Sequence, residues 1–184
     1  VDKVFEAQTA REFGLFEGQL VVQIHTGSRG LGYQVCDDNL KSLIRQAAEK
    51  GILLPDRQLV YAPLGSPQAG AYLAGMKAAA NYAYANRQIL THLTRQVFEE
   101  RLGLSPRDLG LGLVIDVCHN IAKIEDHTLE GRPVRLCVHR KGATRAFAPG
   151  RPELPPDYRE TGQPVLIPGD MGRASFVLVG RPGA

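Results

Sequence analysis

The chain has few cysteines and no stretch suited to a membrane. Cys36, Cys118 and Cys137 are an odd, scattered set. That excludes a disulfide framework as the basis of the fold and suits a reducing, cytoplasmic setting. No run of about 18 apolar residues occurs, so no membrane span is expected. The opening Val1-Asp2-Lys3-Val4-Phe5-Glu6 lacks the pattern of a secretory signal. An initiator Met is missing too, and the closing Gly180-Arg181-Pro182-Gly183-Ala184 follows directly on an apolar run. The chain is therefore expected to be a piece of a longer protein. Neither sign of charge dominates: 22 Lys and Arg stand against 19 Asp and Glu, a net of +3, with a pI near 8.8. Such a balance permits a polyanionic partner without requiring one. No repeat or linker divides the 184 residues, and their 43% hydrophobic content suffices for one domain with a core.

What is present is a mixture of helix and strand patterns. A short helix is expected over 3–14, ending near Gly14. Leu20–Ile24, β-branched and apolar, predicts a buried strand, and a helix follows over 33–50, stopped by Gly51. A strand is expected at Gln58–Ala62. Ser66-Pro67 is a helix start, since Ser caps and Pro suits the first helical position. Tyr72, Met76, Ala79, Ala83, Leu90, Leu93 and Val97 then recur at three- and four-residue steps as one face of a long helix ending at Gly103. Leu111–Val117 and Val134–Val138 predict strands, with a turn at Gly131-Arg132-Pro133. Residues 148–164 read as loop, and Val165–Ile167 and Ser175–Val179 as final strands. Without strict alternation of strand and helix, the order fits an α+β architecture of mixed sheets with flanking helices better than a doubly wound sheet.

Four loops carry groups with chemistry. His25-Thr26-Gly27-Ser28-Arg29-Gly30-Leu31-Gly32 ends a strand pattern in a histidine and opens a helix through glycines. Backbone N–H groups there can face an anion, Arg29 can grip a phosphate, and His25 can ligate a metal. The spacing fits neither the nucleotide-hydrolase phosphate loop nor the dinucleotide fingerprint, and an ordinary Gly-rich turn remains open. Asp116-Val117-Cys118-His119-Asn120 gathers polar groups after an apolar run. His119 suits a metal, whereas Cys118 and His119 would point apart on a strand, against a nucleophile–base pair. His139-Arg140-Lys141-Gly142-Ala143-Thr144-Arg145 is cationic, matching phosphate contact or plain solvated surface. Pro168-Gly169-Asp170-Met171-Gly172-Arg173-Ala174-Ser175 is a tight turn between strands, able to hold a ligand with its backbone or to be a turn only.

Taken in this order, and with the helical segment Ala74–Arg87, the four loops resemble the RtcB family of RNA ligases over essentially the whole chain. The resemblance implies an enzyme joining an RNA 3′-phosphate or 2′,3′-cyclic phosphate to a 5′-hydroxyl, in tRNA splicing or RNA repair, with GTP and Mn²⁺. In that family a histidine is guanylylated, the GMP passes to the RNA 3′-phosphate, and the 5′-hydroxyl displaces it. Metals and cations would neutralise the moving charge. Carried over by position, His25 and His119 match metal ligands, and Asn120 a nucleotide contact. Pro168, Gly169, Asp170 and Met171 match the nucleotide wall, with Asp170 acting through its backbone, and Ser175 matches a further contact. Lys141 and Arg29 match phosphate-binding cations, while His139 is structural or RNA-facing. RNA is the implied partner, with room for an activator protein such as archease.

Three family segments are absent: an upstream Asp-x-Gly-Cys-Gly-like segment, an upstream Asn-His-Phe-like segment, and a downstream His-Gly-Ala-Gly-Arg segment carrying the guanylylated histidine. None of the five histidines sits in the nucleophile's context; His92 and His127 read as surface residues. One partial domain, inactive alone, is the expectation. The rival readings are a non-catalytic RNA-binding module and a metal-dependent phosphatase or hydrolase using His25 and His119.

Overall fold

The computed structural model describes residues 1–182; Gly183 and Ala184 lie outside the described residues. The chain is α+β. In order come α1 (Ala7–Glu12), α2 (Arg29–Glu49), α3 (Pro67–Leu102), β1 (Asn120–Leu129), β2 (Arg132–Lys141), a 3-10 turn at Pro156–Tyr158, β3 (Pro164–Ile167) and β4 (Phe176–Val179). The ladders are two antiparallel pairs, β1 with β2 and β3 with β4. The chain divides into two compact units, Ile24–Leu109 and Val1–Gln23 with Gly110–Ala184.

The helical unit is built on α2 and α3. Ser66 caps α3 as its pattern implies, accepting from the Ala69 amide at 3.2 Å, with Pro67 at the first helical position. Gly103 closes the helix in the left-handed region at φ 68°, its amide donating to Glu99 O at 2.9 Å. Small residues let the helices approach. A Cβ on Gly75 would lie 2.9 Å from Val35 Cγ1, and one on Gly32 would sit 3.7 Å from Ala79 Cβ. Those pairings run in opposite directions along the two helices, so α2 and α3 are antiparallel. Ala79 and Ala83 are buried. With 21 residues against 36, α2 covers only the first part of α3. This explains why Leu93 and Val97, on the expected apolar face, are 47% and 54% exposed.

The second unit rests on the β1–β2 hairpin. Its turn is Glu130-Gly131, one residue earlier than expected, and both have positive φ (50° and 76°). That backbone matches the twist of a two-residue hairpin loop. The ladder then runs without a break from Leu129↔Arg132 to Asn120↔Lys141. The core nearby holds Phe13, Ala122, Leu154, Pro164 and Val165. The Phe13 and Tyr158 rings meet edge to face at 5.4 Å, and the Tyr158 hydroxyl donates to Val114 O. Glu12 accepts from Thr161, and Glu6 pairs with Arg181, which ties the first residues of the chain to its later segments. Gly180 passes so close to residues 146 and 147 that a Cβ would meet Phe147 O at 2.3 Å; only glycine fits there.

Three apolar runs that read as strands, 20–24, 58–62 and 111–117, carry no strand in the structure. A β-branched run reports a surface fit to be covered, not the presence of a neighbour to cover it. Leu20, Leu59 and Leu113 are accordingly 77%, 62% and 61% exposed. No described helix is long and apolar enough to cross a membrane.

Candidate functional site

The hairpin register assembles one corner of the candidate site. Asn120 opens β1 and Lys141 closes β2, and the ladder sets them directly opposite. Paired residues share a face, so both side chains project from the same, solvent-facing side. Asn120 Oδ1 accepts from the Gly142 amide at 3.2 Å. Gly142 itself is left-handed at φ 66°, which lets the chain leave the strand beside that bond. The side chain of Asn120 thus pins the loop after Lys141. His119 immediately precedes Asn120 and is half-buried. His139 shares the face of Lys141, its Nε2 3.6 Å from Cys137 Sγ.

The loop from Pro168 to Ser175 joins β3 to β4, whose register ends at Ile167↔Phe176. Ser175 Oγ accepts from the Gly169 amide at 3.0 Å, closing the loop across its base. Gly169 is obligatory, since a Cβ would meet Ala174 O at 2.3 Å. Asp170 O accepts from the Arg173 amide at 3.0 Å, and Gly172 is left-handed at φ 86°. Met171 is fully exposed. The turn expected from sequence is therefore present, with Ser175 and Gly169 brought together at its neck.

His25 and Arg29 belong to the other unit. Their loop is clamped by α3: Asn86 Nδ2 donates to Thr26 Oγ1 at 3.3 Å and to Gly27 O at 3.0 Å, and Arg87 donates to Thr26 O at 3.4 Å. The Arg87 guanidinium also stacks on Tyr84 at 4.5 Å. Arg29 starts α2 with left-handed backbone, φ 51°, a conformation worth about 1–2 kcal/mol of strain in a non-glycine residue. His25 and Arg29 are exposed. Asn86 and Arg87 received no role from their sequence. The available signal was an amide and a cation at the buried three- and four-residue spacing of Ala79 and Ala83.

Sequence reasoning also passed over Glu125. It is buried at 6% exposure and takes both Arg140 terminal nitrogens, at 2.7 and 2.8 Å. His127 Nε2 lies 3.1 Å from Oε2, the oxygen that Arg140 Nη2 also meets, so the half-buried His127 joins this network. Arg140 holds the Glu125 carboxyl down at about 2 against the opposing effect of burial, with His127 assisting. His92, on α3, is exposed as expected.

The two candidate metal histidines, His25 and His119, lie in separate units. Among the described residues no group of three or more His, Cys, Asp or Glu could hold an ion. Two imidazoles are below the four to six ligands, roughly, that a divalent ion takes.

The sequence profile of one family, described as tRNA-splicing ligase RtcB, matches residues 1–184. A tRNA-splicing ligase RtcB of Archaeoglobus fulgidus is 57% identical over 180 residues, which is 98% of this chain and 37% of that protein. That of Pyrococcus abyssi is 53% identical over 184 residues, all of this chain and 20% of its own length. That of Aeropyrum pernix is 53% identical over 182 residues, or 99% and 38%. The chain belongs to the RtcB family, and it spans between a fifth and two fifths of these relatives.

Proposed function

We propose that this chain is part of an RNA ligase that joins an RNA 3′-phosphate or 2′,3′-cyclic phosphate end to a 5′-hydroxyl end, in tRNA splicing or RNA repair, with GTP and Mn²⁺ as cofactors. The observation that carries the reading is the family match across the full chain, to relatives named as tRNA-splicing ligases. The geometry supports it locally. Asn120 and Lys141 present an amide and a cation from one strand end, a pairing suited to a nucleotide phosphate. The Pro168–Ser175 loop offers backbone groups and the Ser175 hydroxyl around a fixed turn. Arg29 would contact phosphate from the clamped loop of the other unit. His25 and His119 would each give Mn²⁺ an imidazole nitrogen, with further donors supplied elsewhere in such a ligase. Two imidazole donors alone do not complete a divalent-ion site. The same reading puts the ligase in the cytoplasm, with RNA as partner and an archease-type activator beside it.

The 184-residue chain alone is inactive on this reading. Incubated with Mn²⁺ and GTP labelled at the α-phosphate, it should carry no covalent label; a labelled chain would overturn that part. The ligase assignment is tested on the full-length parent, with RNA ends of the stated chemistry. A joined product is expected. Phosphate release without joining would make the protein a hydrolase. Salt-sensitive RNA binding indifferent to GTP and metal would make it a binding module.

A further inference from the structure

The apolar face of α3 is interrupted once. Tyr72, Met76, Ala79, Ala83, Leu90, Leu93 and Val97 follow steps of three and four residues, except between Ala83 and Leu90. The skipped place falls at positions 86 and 87, which carry Asn and Arg. Its location in the fold is informative. Ala79 and Ala83 are buried, and Gly32, near the start of α2, lies opposite Ala79. Because the two helices are antiparallel, the turn of α3 after Ala83 passes the first residue of α2 and meets the loop that leads into it.

That loop is held from both helices. Asn86 Nδ2 donates to Thr26 Oγ1 at 3.3 Å and to Gly27 O at 3.0 Å, and Arg87 donates to Thr26 O at 3.4 Å. The Arg87 guanidinium is itself steadied over the Tyr84 ring at 4.5 Å, one turn back along α3. On the α2 side Ser28 presses on Gly32, where a Cβ would stand 2.1 Å from Ser28 Oγ. Each of the three residues between His25 and Arg29 is therefore fixed, Thr26 and Gly27 from α3 and Ser28 against α2. Arg29 follows with left-handed backbone, φ 51°. A non-glycine residue keeps such a conformation only where its surroundings over-determine it, and such residues gather at functional sites. Apolar residues at 86 and 87 would continue the face of α3 and leave the half-buried loop to water. Immobilising an amide and a guanidinium instead costs side-chain entropy; what it secures is one backbone path through Thr26, Gly27 and Ser28.

We propose that Asn86 and Arg87 are positioning residues for ligation: by holding that path they fix the backbone of Arg29, so that its guanidinium meets an RNA phosphate already oriented. Neither touches the RNA, and both act through Arg29. The inference rests on the reading of the chain as part of an RNA ligase in which Arg29 contacts phosphate.

The test is made on the full-length parent with a fluorescein-labelled RNA ending in a 3′-phosphate, binding being followed by anisotropy. Asn86→Leu completes the apolar face of α3, so the thermal midpoint should hold. Binding should nonetheless weaken about tenfold, as in Arg29→Ala, and the rate of joining should fall by about tenfold to a hundredfold. A merely structural Asn86 would lower midpoint and affinity together. In the Arg29→Ala background, Asn86→Leu should weaken binding by less than about twofold further, because its effect runs through the missing guanidinium. Losses that multiply overturn the positioning role, as does unchanged affinity in the single variant. Arg87→Lys, which keeps the charge but not the planar stack on Tyr84, should show the same coupling with a smaller loss, and it replaces Asn86→Leu if that protein does not fold. A parent that binds the RNA with coupled losses but joins no ends supports the positioning role while the ligase reading fails. A parent that binds no such RNA overturns the positioning role.

Discussion

Glu125 shows how much one residue can hold at stake. Its carboxylate is buried, with both oxygens taken by Arg140 and one of them, Oε2, shared with His127. A carboxyl titrating at about 2 in the folded chain, against 4.5 for an ordinary glutamate, stabilises the ionised native state by about 3 kcal/mol. Because the folded value is the lower one, that stability is complete above the unfolded value and drains away as pH falls from about 4.5 towards 2. Urea midpoints measured across this window should fall steeply in the natural sequence and much less in Glu125→Gln. Removing the partner is the harsher change. Arg140→Ala would leave a buried carboxylate uncompensated and should cost roughly 3–5 kcal/mol. A midpoint shift of only a few tenths of a kcal/mol would show that Arg140 is replaceable by water. Asn120→Ala is milder, losing one exposed-edge acceptor for the Gly142 amide, about 0.5–1.5 kcal/mol. On the proposed ligase reading it should also reduce ligation by the full-length parent by more than this stability loss predicts, because the Lys141 loop loses its pin.

Among the elements, the α2–α3 pair separates two effects of glycine. Gly70 and Gly75 both lie within α3, where alanine is better than glycine by about 1 kcal/mol in helix propensity. At Gly70 a Cβ meets nothing within 4 Å. Gly70→Ala should therefore raise the thermal midpoint. At Gly75 the new carbon would lie 2.9 Å from Val35 Cγ1. Valine is stiff at χ1 and cannot swing away cheaply, so overpacking of about 1–3 kcal/mol offsets or outweighs the propensity gain. Gly75→Ala should leave the midpoint unchanged or lower it, as read by calorimetry beside Gly70→Ala. A gain at both positions would mean that the helices are not as closely packed as Gly32, Val35 and Ala79 indicate. The same helix holds the His25 loop, through Asn86 and Arg87 on its next turns.

For the whole molecule, the exposed apolar runs matter most. Leu20, Val21 and Val22 are 77%, 52% and 50% exposed, and Leu59 and Tyr61 are 62% and 65%. Contiguous apolar surface of this kind favours association. The 184-residue chain should bind a hydrophobic dye such as ANS with a marked rise in fluorescence, and Leu20→Asp with Val22→Asp should reduce it. An unsubstituted chain with no dye response would show these runs covered in solution.

The long helix, its Ser66 cap, its Gly103 stop, the hairpin strand at 134–138 and the turn between β3 and β4 were legible in the sequence because each is written locally. Caps, glycine conformations and side-chain periodicity depend on neighbours a few residues away. The family resemblance was legible for a related reason: the four loops and their order are read directly off the residues. Strands at 20–24, 58–62 and 111–117 were expected and are not formed, because a strand is a property of two segments and the sequence of one cannot supply the other. The tertiary structure alone decided which cations were spent. Arg140, Lys141 and Arg145 look alike in one basic run, but the hairpin register turns Lys141 outward beside Asn120 and commits Arg140 to Glu125. Arg145 is held instead by Gln163 and the ring of Phe147. Charge is set by composition; whether that charge is available to a ligand is set by what the fold places next to it.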